Sequence, residues 1–576
     1  MKSKYIIGAL AVAAAAAMTS CDDFLNDNRY PLSSQTVNPE FWSNSANVQN
    51  QVNAFYNDYY GYGNGASTNG TFYYSWLSDD QCGRHSFNDW TFTAVPAVSS
   101  SYDNPYIEIR RANLVIGGVE SSSLSEVEKN NFTALARLHR ARQYYQLVQR
   151  YGDVILADAT VDVDDTSVLF GERTNRNTVM DFVLSDLNFA VEKISAQSGK
   201  TEFSRDMAQA FKLEVCLFEG AFAKYHQNDA ARAKAYFEEA EKAGLAIVDR
   251  YPVCNDYASL YNSLNYSGLA GNSEIIMYKG YENTVFMNSI TDYSNASDGV
   301  AGITRDAFNA FLFRDGKSAT TSPATTYPTT DAGVAEGTTA LSIQNLLDVR
   351  DGRLSAITYP NVAYVNLSWS APNTSGMVSS TGYGVRKFNN YDMPFADVNS
   401  INKNYCSAPL FWGARVCVGL LEAKAELGKL TDADLNAYMK PLWKRADFDQ
   451  AAIDGLTVSY LSNLNDAANN MPGTSSLIWE IRRLRRCELM LDDGIRYWDL
   501  VRWHQLDLLD TNTHPNTILG ANVVNAPIKP EATAMTGNYV NGSFGGVRTW
   551  NNKFYFYPIP SGQLKLNKQL TQNPGW

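Results

Sequence analysis

The chain has 576 residues, 60 of them acidic against 48 basic, with a formal charge of −12. Phosphate backbones and anionic headgroups repel such a chain, so nucleic acid is not an expected partner and electrostatic attraction does not supply membrane binding. At about 150 residues per domain the length fits three or four domains, or one large helical body with insertions, and either can bury a sizeable core.

Lys2 and Lys4 precede an apolar stretch over 5–18, and the small residues Thr19 and Ser20 stand before Cys21. These are the positive region, apolar region and processing site of a secretory signal. As a helix the apolar stretch rises only about 21 Å, short of the roughly 30 Å of hydrocarbon that a permanent span must cross. Met18-Thr19-Ser20-Cys21 resembles a lipobox, whose cysteine thiol is alkylated by diacylglycerol before cleavage. Residues 1–20 are therefore expected to be a lipoprotein signal peptide, Cys21 the lipidated residue, and 21–39 a polar leash. Two or three acyl chains bury enough methylenes for stable anchoring, which one chain does not.

From residue 40 the pattern turns helical. Ser125 and Glu128 form a capping box, and Leu135, Leu138, Tyr145 and Val148 repeat on one face until Gly152, predicting a helix of about seven turns. Met207, Phe211, Val215, Phe218 and Phe222 make a second stripe. Asn228-Asp229 break it, and Ala233, Phe237, Ala240 and Gly244 follow, so the two helices must pack antiparallel. Gly220, Tyr225, Ala233, Tyr236 and Ala240 sit close to the small and aromatic positions of a tetratricopeptide repeat. A second pair is expected over 411–427 and 431–446, with Gly428 between. The helical core is thus split into an N-terminal part, 40–253, and a C-terminal part, 408–576. Between them, 254–407 is rich in Gly, Ser, Thr, Asn and Tyr and includes a low-complexity tract at 318–339, a composition typical of binding loops or disordered linkers. Short strands are expected at 273–278 and 554–559, so the fold class is mainly α with minor β.

The run 479–503 carries Arg482, Arg483, Arg485, Arg486, Arg496 and Arg502. Acids interleave at helical spacing: Glu480 with Arg483, Arg485 with Glu488, Asp492 with Arg496, and Asp499 with Arg502. With Leu477, Ile481, Leu484, Cys487 and Leu491 as the buried stripe, the run reads as structural and not as a nucleic-acid site. Catalytic motifs are missing: the chain has no G-x-S-x-G elbow, H-E-x-x-H or Walker loop. Gly61-Tyr-Gly63-Asn-Gly65-Ala66 matches G-x-G-x-x-A but follows no apolar strand, so it reads as a loop. Asp79-Asp80 and Asp492-Asp493 are carboxylate pairs of the kind a glycosidase uses, yet neither separates into acid and nucleophile. The cysteines after Cys21 (Cys82, Cys216, Cys254, Cys406, Cys417 and Cys487) include no C-x-x-C and read mostly as small core residues, with one disulfide left open. His85, His139, His226, His504 and His514 show no ligand spacing, so no zinc site is expected from sequence. Aromatics are the richer signal, with 34 Tyr, 26 Phe and 11 Trp, many in loops where flat rings suit sugar rings or peptide side chains.

Several motifs in fixed order resemble the SusD/RagB family of outer-membrane nutrient-binding lipoproteins, over nearly the whole mature chain. Cys21-Asp-Asp-Phe-Leu is similar to the family's N-terminus. Arg137-x-x-Arg140-x-x-x-Tyr144-Tyr145-x-Leu147-Val148-x-x-Tyr151-Gly152-Asp153-Val154 is similar to its signature helix and turn, with Ile155 where proline is common. Arg485, Glu488, Leu489, Gly494, Arg496, Trp498, Asp499, Leu500, Arg502 and Trp503 resemble a second signature. Tyr557-Pro-Ile-Pro560 and Leu570-x-Gln572-Asn573-Pro574-Gly575-Trp576 resemble the terminal one.

The resemblance implies a helical body with tetratricopeptide-like pairs, a lipid-anchored position on the cell-surface side of the outer membrane, and a SusC-like TonB-dependent transporter that the lipoprotein covers as a lid. It implies glycan binding, or peptide binding as in some branches, and signature arginines and acids that are structural. No catalytic residue and no cofactor are expected, although the acidic loops leave room for a structural calcium ion. The expected ligand residues are Trp76, Arg84 and Trp90 in the early loop and Tyr281, Tyr293 and Trp369 in the insertion. A peptide-binding lid and a surface glycoside hydrolase are the alternatives.

Overall fold

The structure is a computed structural model. It describes residues 39–576 except 64–69, 73–76, 84–93, 163, 196–198, 292–301, 319, 322–333, 337–339, 365–377, 399, 401, 525, 527–529, 531 and 545. Cys21 and most of the tract 318–339 lie outside the described residues.

Pro39 already opens a helix, α1 (Pro39–Trp42), followed by α2 (Ser45–Asn53), whose first amides are capped by the Asn44 side chain. Two long helices come next, α3 (Ser100–Glu120) and α4 (Glu126–Tyr151). The expected capping box is present: Ser125 accepts from the Glu128 amide, and the Glu128 carboxylate accepts from the Ser125 amide. Gly152, at φ 70°, ends α4 in a conformation that L side chains rarely adopt. The tight connection makes α3 and α4 antiparallel. Arg140 on α4 then ties in a third helix, α5 (Arg176–Lys193), through a bidentate pair with Asp186 (2.8 and 2.9 Å), while bonding Asn113 of α3 at 2.7 Å.

The tetratricopeptide-like pair is α6 (Arg205–Tyr225) and α7 (Ala230–Leu245). Gly220 is small for a physical reason: a Cβ there would lie 2.7 Å from the Phe237 ring on the opposite helix. The second pair forms as expected, α8 (Gly413–Glu426) followed by the helical pieces Asp432–Asp434, Leu435–Met439 and Lys440–Arg445, the middle one a π turn. Gly244 of α7 abuts Leu420 of α8, and Gly419 of α8 abuts Leu213 of α6. The core that is split in sequence is therefore continuous in space. Further helices pack on it, among them α9 (Ser476–Glu488), α10 (Ile495–Arg502) and α11 (Ser561–Leu566).

Strands are few. The expected strand β1 (Ile275–Lys279) pairs antiparallel with a strand just before α8, β5 (Ala408–Trp412), in the register Ile275↔Trp412 to Lys279↔Ala408. This ladder closes the insertion at its base. Within the insertion β2 (Val334–Glu336), β3 (Ala340–Ser342) and β4 (Asn361–Val362) form a meander. Nearer the C-terminus β6 (Leu519–Asn522), β8 (Tyr539–Asn541) and β7 (Met535–Thr536) lie in that order. The strand expected at 554–559 does not form: Asn552–Tyr555 is a 3-10 turn, and the Tyr557 amide bonds the Arg150 carbonyl at 2.6 Å instead of a ladder partner. The six described cysteines are all free thiols, five buried and Cys254 partly so. No helix among the described residues is long and apolar enough to cross a membrane.

Candidate ligand-binding face

The arginine run builds the frame of the site. α9 and α10 are separated by Leu491, Asp493 and Gly494 at φ 67°, 48° and 65°, so the chain turns sharply and arginines of both helices converge on shared acids, Arg485 and Arg502 on Asp499 and Arg486 and Arg496 on Asp79. The pairs Glu480–Arg483 and Asp499–Arg502 form as expected, the second at 2.8 Å. The other two do not. Glu488 is held by Arg353 (2.7 Å) and Arg445, and Arg485 by Asp499 (2.8 Å). Asp492 is held by Lys387 (2.6 Å), and Arg496 reaches Asp79 with two bonds of 2.7 and 2.8 Å.

Asp79 and Asp80 are consequently anchors. Arg486 bonds Asp80 at 2.7 Å and Asp306 at 2.8 Å, and Arg548 bonds the Ser78 carbonyl at 3.0 Å. Burial raises the Asp79 carboxyl, but Arg486 and Arg496 outweigh it and hold the group well below the usual carboxylate range. Asp80 is pushed up to about 6 by burial; Arg486 opposes the shift and the charge on Asp79 adds to it. Both carboxylates of this pair are sealed from solvent at 1% exposure and engaged by guanidinium groups, which leaves no opening for a sugar between them.

Fixing 78–82 fixes what is laced to it. The Cys82 amide bonds the Gly302 carbonyl (3.1 Å), the Thr304 amide bonds the Asp80 carbonyl (3.0 Å), and Ser380 Oγ donates to the Cys82 carbonyl. Thr381 Oγ1 donates to the Ile303 carbonyl at 2.6 Å, and the Ser379 amide to the Ala363 carbonyl at 3.1 Å. A Cβ on Gly302 would lie 2.3 Å from both Ser379 Oγ and Thr381 Oγ1, so the three chains approach as closely as only glycine allows. Cys82, Gly302, Ala363 and Ser379 of this junction stand close in sequence to 84–93, 292–301 and 365–377. Those stretches carry Arg84, Trp90, Tyr293 and Trp369, which lie outside the described residues, as does Trp76.

Tyr281 is described and is not a ligand residue. It is 0% exposed, its ring stacks on Phe286 at 5.3 Å, and its hydroxyl donates to the Gly63 carbonyl at 2.6 Å. It packs the loop onto the body, because a tyrosine two residues beyond the end of β1 finds both an apolar bed and a carbonyl partner.

A cavity of about 480 Å³ opens beside Leu77, between α4, α6 and α10. Its walls include Tyr60, Tyr145 and Trp498, with Arg142, Arg415 and Asp493 among the polar groups. Aromatic faces with convergent charged groups suit a polyhydroxylated ring. Sequence reading missed these residues, since Tyr145 and Trp498 sit inside helical motifs where an aromatic looks like core. Among the described residues one group could hold a metal ion, formed by Asp58, Glu108 and His139.

Comparison with known proteins agrees with this architecture. A family profile described as "SusD family" matches residues 260–576, and one described as "Starch-binding associating with outer membrane" matches residues 23–217. A SusD-like protein of Bacteroides ovatus is 26% identical over 211 residues, which span 35% of this chain and 38% of that protein, well short of two thirds of its length. Among solved structures, a SusD-like carbohydrate binding protein of Bacteroides fragilis matches with a TM-score of 0.67 at 20% identity, over 92% of this chain and 100% of its own. A surface glycan-binding protein A of Bacteroides fluxus matches with a TM-score of 0.58 at 15% identity, over 93% and 100%. A structure described as with xylogluco-oligosaccharide matches with a TM-score of 0.59 at 16% identity, over 91% and 97%. These structural likenesses are likenesses of fold. The first profile takes in more than half of the 576 residues, and the chain belongs to the SusD family.

Proposed function

We propose that this protein is a non-catalytic, lipid-anchored glycan-binding protein of the cell surface, which captures oligosaccharide and delivers it to a SusC-like TonB-dependent transporter as its lid. The observation that carries the reading is the junction of 82, 302 and 380, described residues that lie close in sequence to Arg84, Trp90, Tyr293 and Trp369. Family membership supports the same reading, as do fold neighbours described as carbohydrate binding and as with xylogluco-oligosaccharide. Charge repulsion argues for capture by stacking and hydrogen bonding of neutral sugars, since the protein carries −12.

If Trp76 and Trp90 stack on ligand, replacing either by alanine costs about 1 to 3 kcal/mol of binding free energy, measured by calorimetry. Unchanged affinity removes that residue from the site. Cys21→Ala is expected to release a folded, ligand-competent protein that no longer supports uptake. A barrel protein co-purifying with the anchored form supports the lid, and uptake by the released form counts against it.

A further inference from the structure

Asp58, Glu108 and His139 come from three elements, the 3-10 turn Ala54–Asp58, α3 and α4. His139 is 2% exposed, and its ring lies flat on Phe55 with centroids 4.0 Å apart, which fixes the plane of the imidazole. That orientation aims Nε2 at two carboxylates, 3.1 Å from Glu108 Oε2 and 3.4 Å from Asp58 Oδ2. All three donor atoms lie within 4.8 Å of one another. A tetrahedral ion with bonds of about 2.0–2.2 Å spaces its ligand atoms roughly 3.3–3.6 Å apart.

The carboxylates are held in place from behind. Gln143 donates to Asp58 Oδ2 at 2.6 Å, and Arg111 donates to both oxygens of Glu108 at 2.6 and 2.7 Å. Outer donors of this kind orient metal ligands and leave further lone pairs for the ion. Arg111 is 38% exposed, so solvent screens much of its charge and it opposes a cation weakly. Asp58 and Glu108 keep 22% and 16% of their side-chain surface, which gives water access as a fourth ligand.

We infer that Asp58, Glu108 and His139 form a binding site for a divalent transition-metal ion of the zinc class, which staples the 3-10 turn Ala54–Asp58 to α3 and α4. One imidazole with two carboxylates suits zinc, whereas calcium takes six to eight oxygens and these groups do not supply them. Two carboxylates balance the charge of the ion. On binding, Nε2 gives its lone pair to the metal and the ring carries its one proton at Nδ1.

The test titrates zinc chloride into the chelator-stripped mature protein by calorimetry and follows the melting temperature in parallel. The inference predicts one saturable equivalent, a raised melting temperature, and no competition from excess calcium. His139→Phe keeps the stack on Phe55 and is expected to weaken zinc binding at least 100-fold, more than the 10- to 100-fold typical of losing an outer-shell partner, and to abolish the thermal shift. Asp58→Asn, at the rim, is the second variant should His139→Phe fold poorly, and is expected to weaken zinc in the same direction. No saturable binding, or equal binding by wild type and both variants, overturns the site and leaves only adventitious surface binding.

Discussion

Glu422 lies on α8 with 0% exposure, and both its oxygens are spoken for: Arg502 bonds them at 2.6 and 2.7 Å, and the Trp503 indole donates at 2.8 Å. Removing one partner of a buried pair leaves the other charge desolvated and uncompensated. Glu422→Leu is therefore expected to cost about 3 to 5 kcal/mol in denaturant unfolding. Arg502 keeps its bond to Asp499 at 2.8 Å, and adding Arg502→Met should recover part of the loss by removing the guanidinium group that Glu422 no longer pairs. A second residue-scale effect is in pH. Arg483 NH2 serves Asp466 and Glu480 at once, at 2.6 and 2.5 Å. Burial pushes Glu480 up to about 7 from an ordinary 4.5; Arg483 opposes the shift and the neighbouring Asp466 charge adds to it. The folded state thus holds a proton that the unfolded state has lost, so this group's contribution to stability is present below pH 4.5 and disappears as pH rises to about 7. Glu480→Gln should flatten that part of the profile of urea midpoint against pH, and a wild-type profile already flat between those limits would contradict the assignment.

At the scale of elements, α4 shows what local sequence can say. Its capping box, its apolar face and the Gly152 stop are all set by residues within one helix, and all are found in the fold. Ser125→Ala is expected to cost about 1 kcal/mol by leaving an N-terminal amide without its acceptor. Gly220→Ala is expected to cost about 1 to 3 kcal/mol, because the added methyl meets the Phe237 ring at 2.7 Å in a packed interface. Both are checked by chemical denaturation. Where sequence reading failed, the cause was a break in periodicity that helical spacing does not reveal. Asp492 and Arg496 are four apart and look like neighbours on one helix. Positive φ at Leu491, Asp493 and Gly494 puts them on either side of a turn, so each finds a partner more than a hundred residues away. The strand expected at 554–559 failed similarly, since its alternation is used to pack on α4 and not to join a sheet.

At the scale of the whole molecule, the helical repeats make a rigid body whose two sequence halves interlock at Gly244, Gly419 and their leucine partners. The β1–β5 ladder then pins both ends of the insertion to that body. A binding face built on loops needs a base held in this way. The repeats and the order of motifs were readable in the chain because each is local. The junction of Cys82, Gly302 and Ser380 was not, because it joins residues as much as 298 positions apart. Nor was the group of Asp58, Glu108 and His139, whose members share no spacing until three elements pack. Composition alone proposed Tyr281 as a ligand residue, and burial removed it.

The central claim is capture of glycan, and calorimetry of the purified mature protein against a panel of oligosaccharides and peptides of similar size tests it most directly. Saturable binding to at least one oligosaccharide, with the sugar recovered intact afterwards, is the expected result. Binding to peptides alone, or release of shorter sugars during the titration, would contradict it.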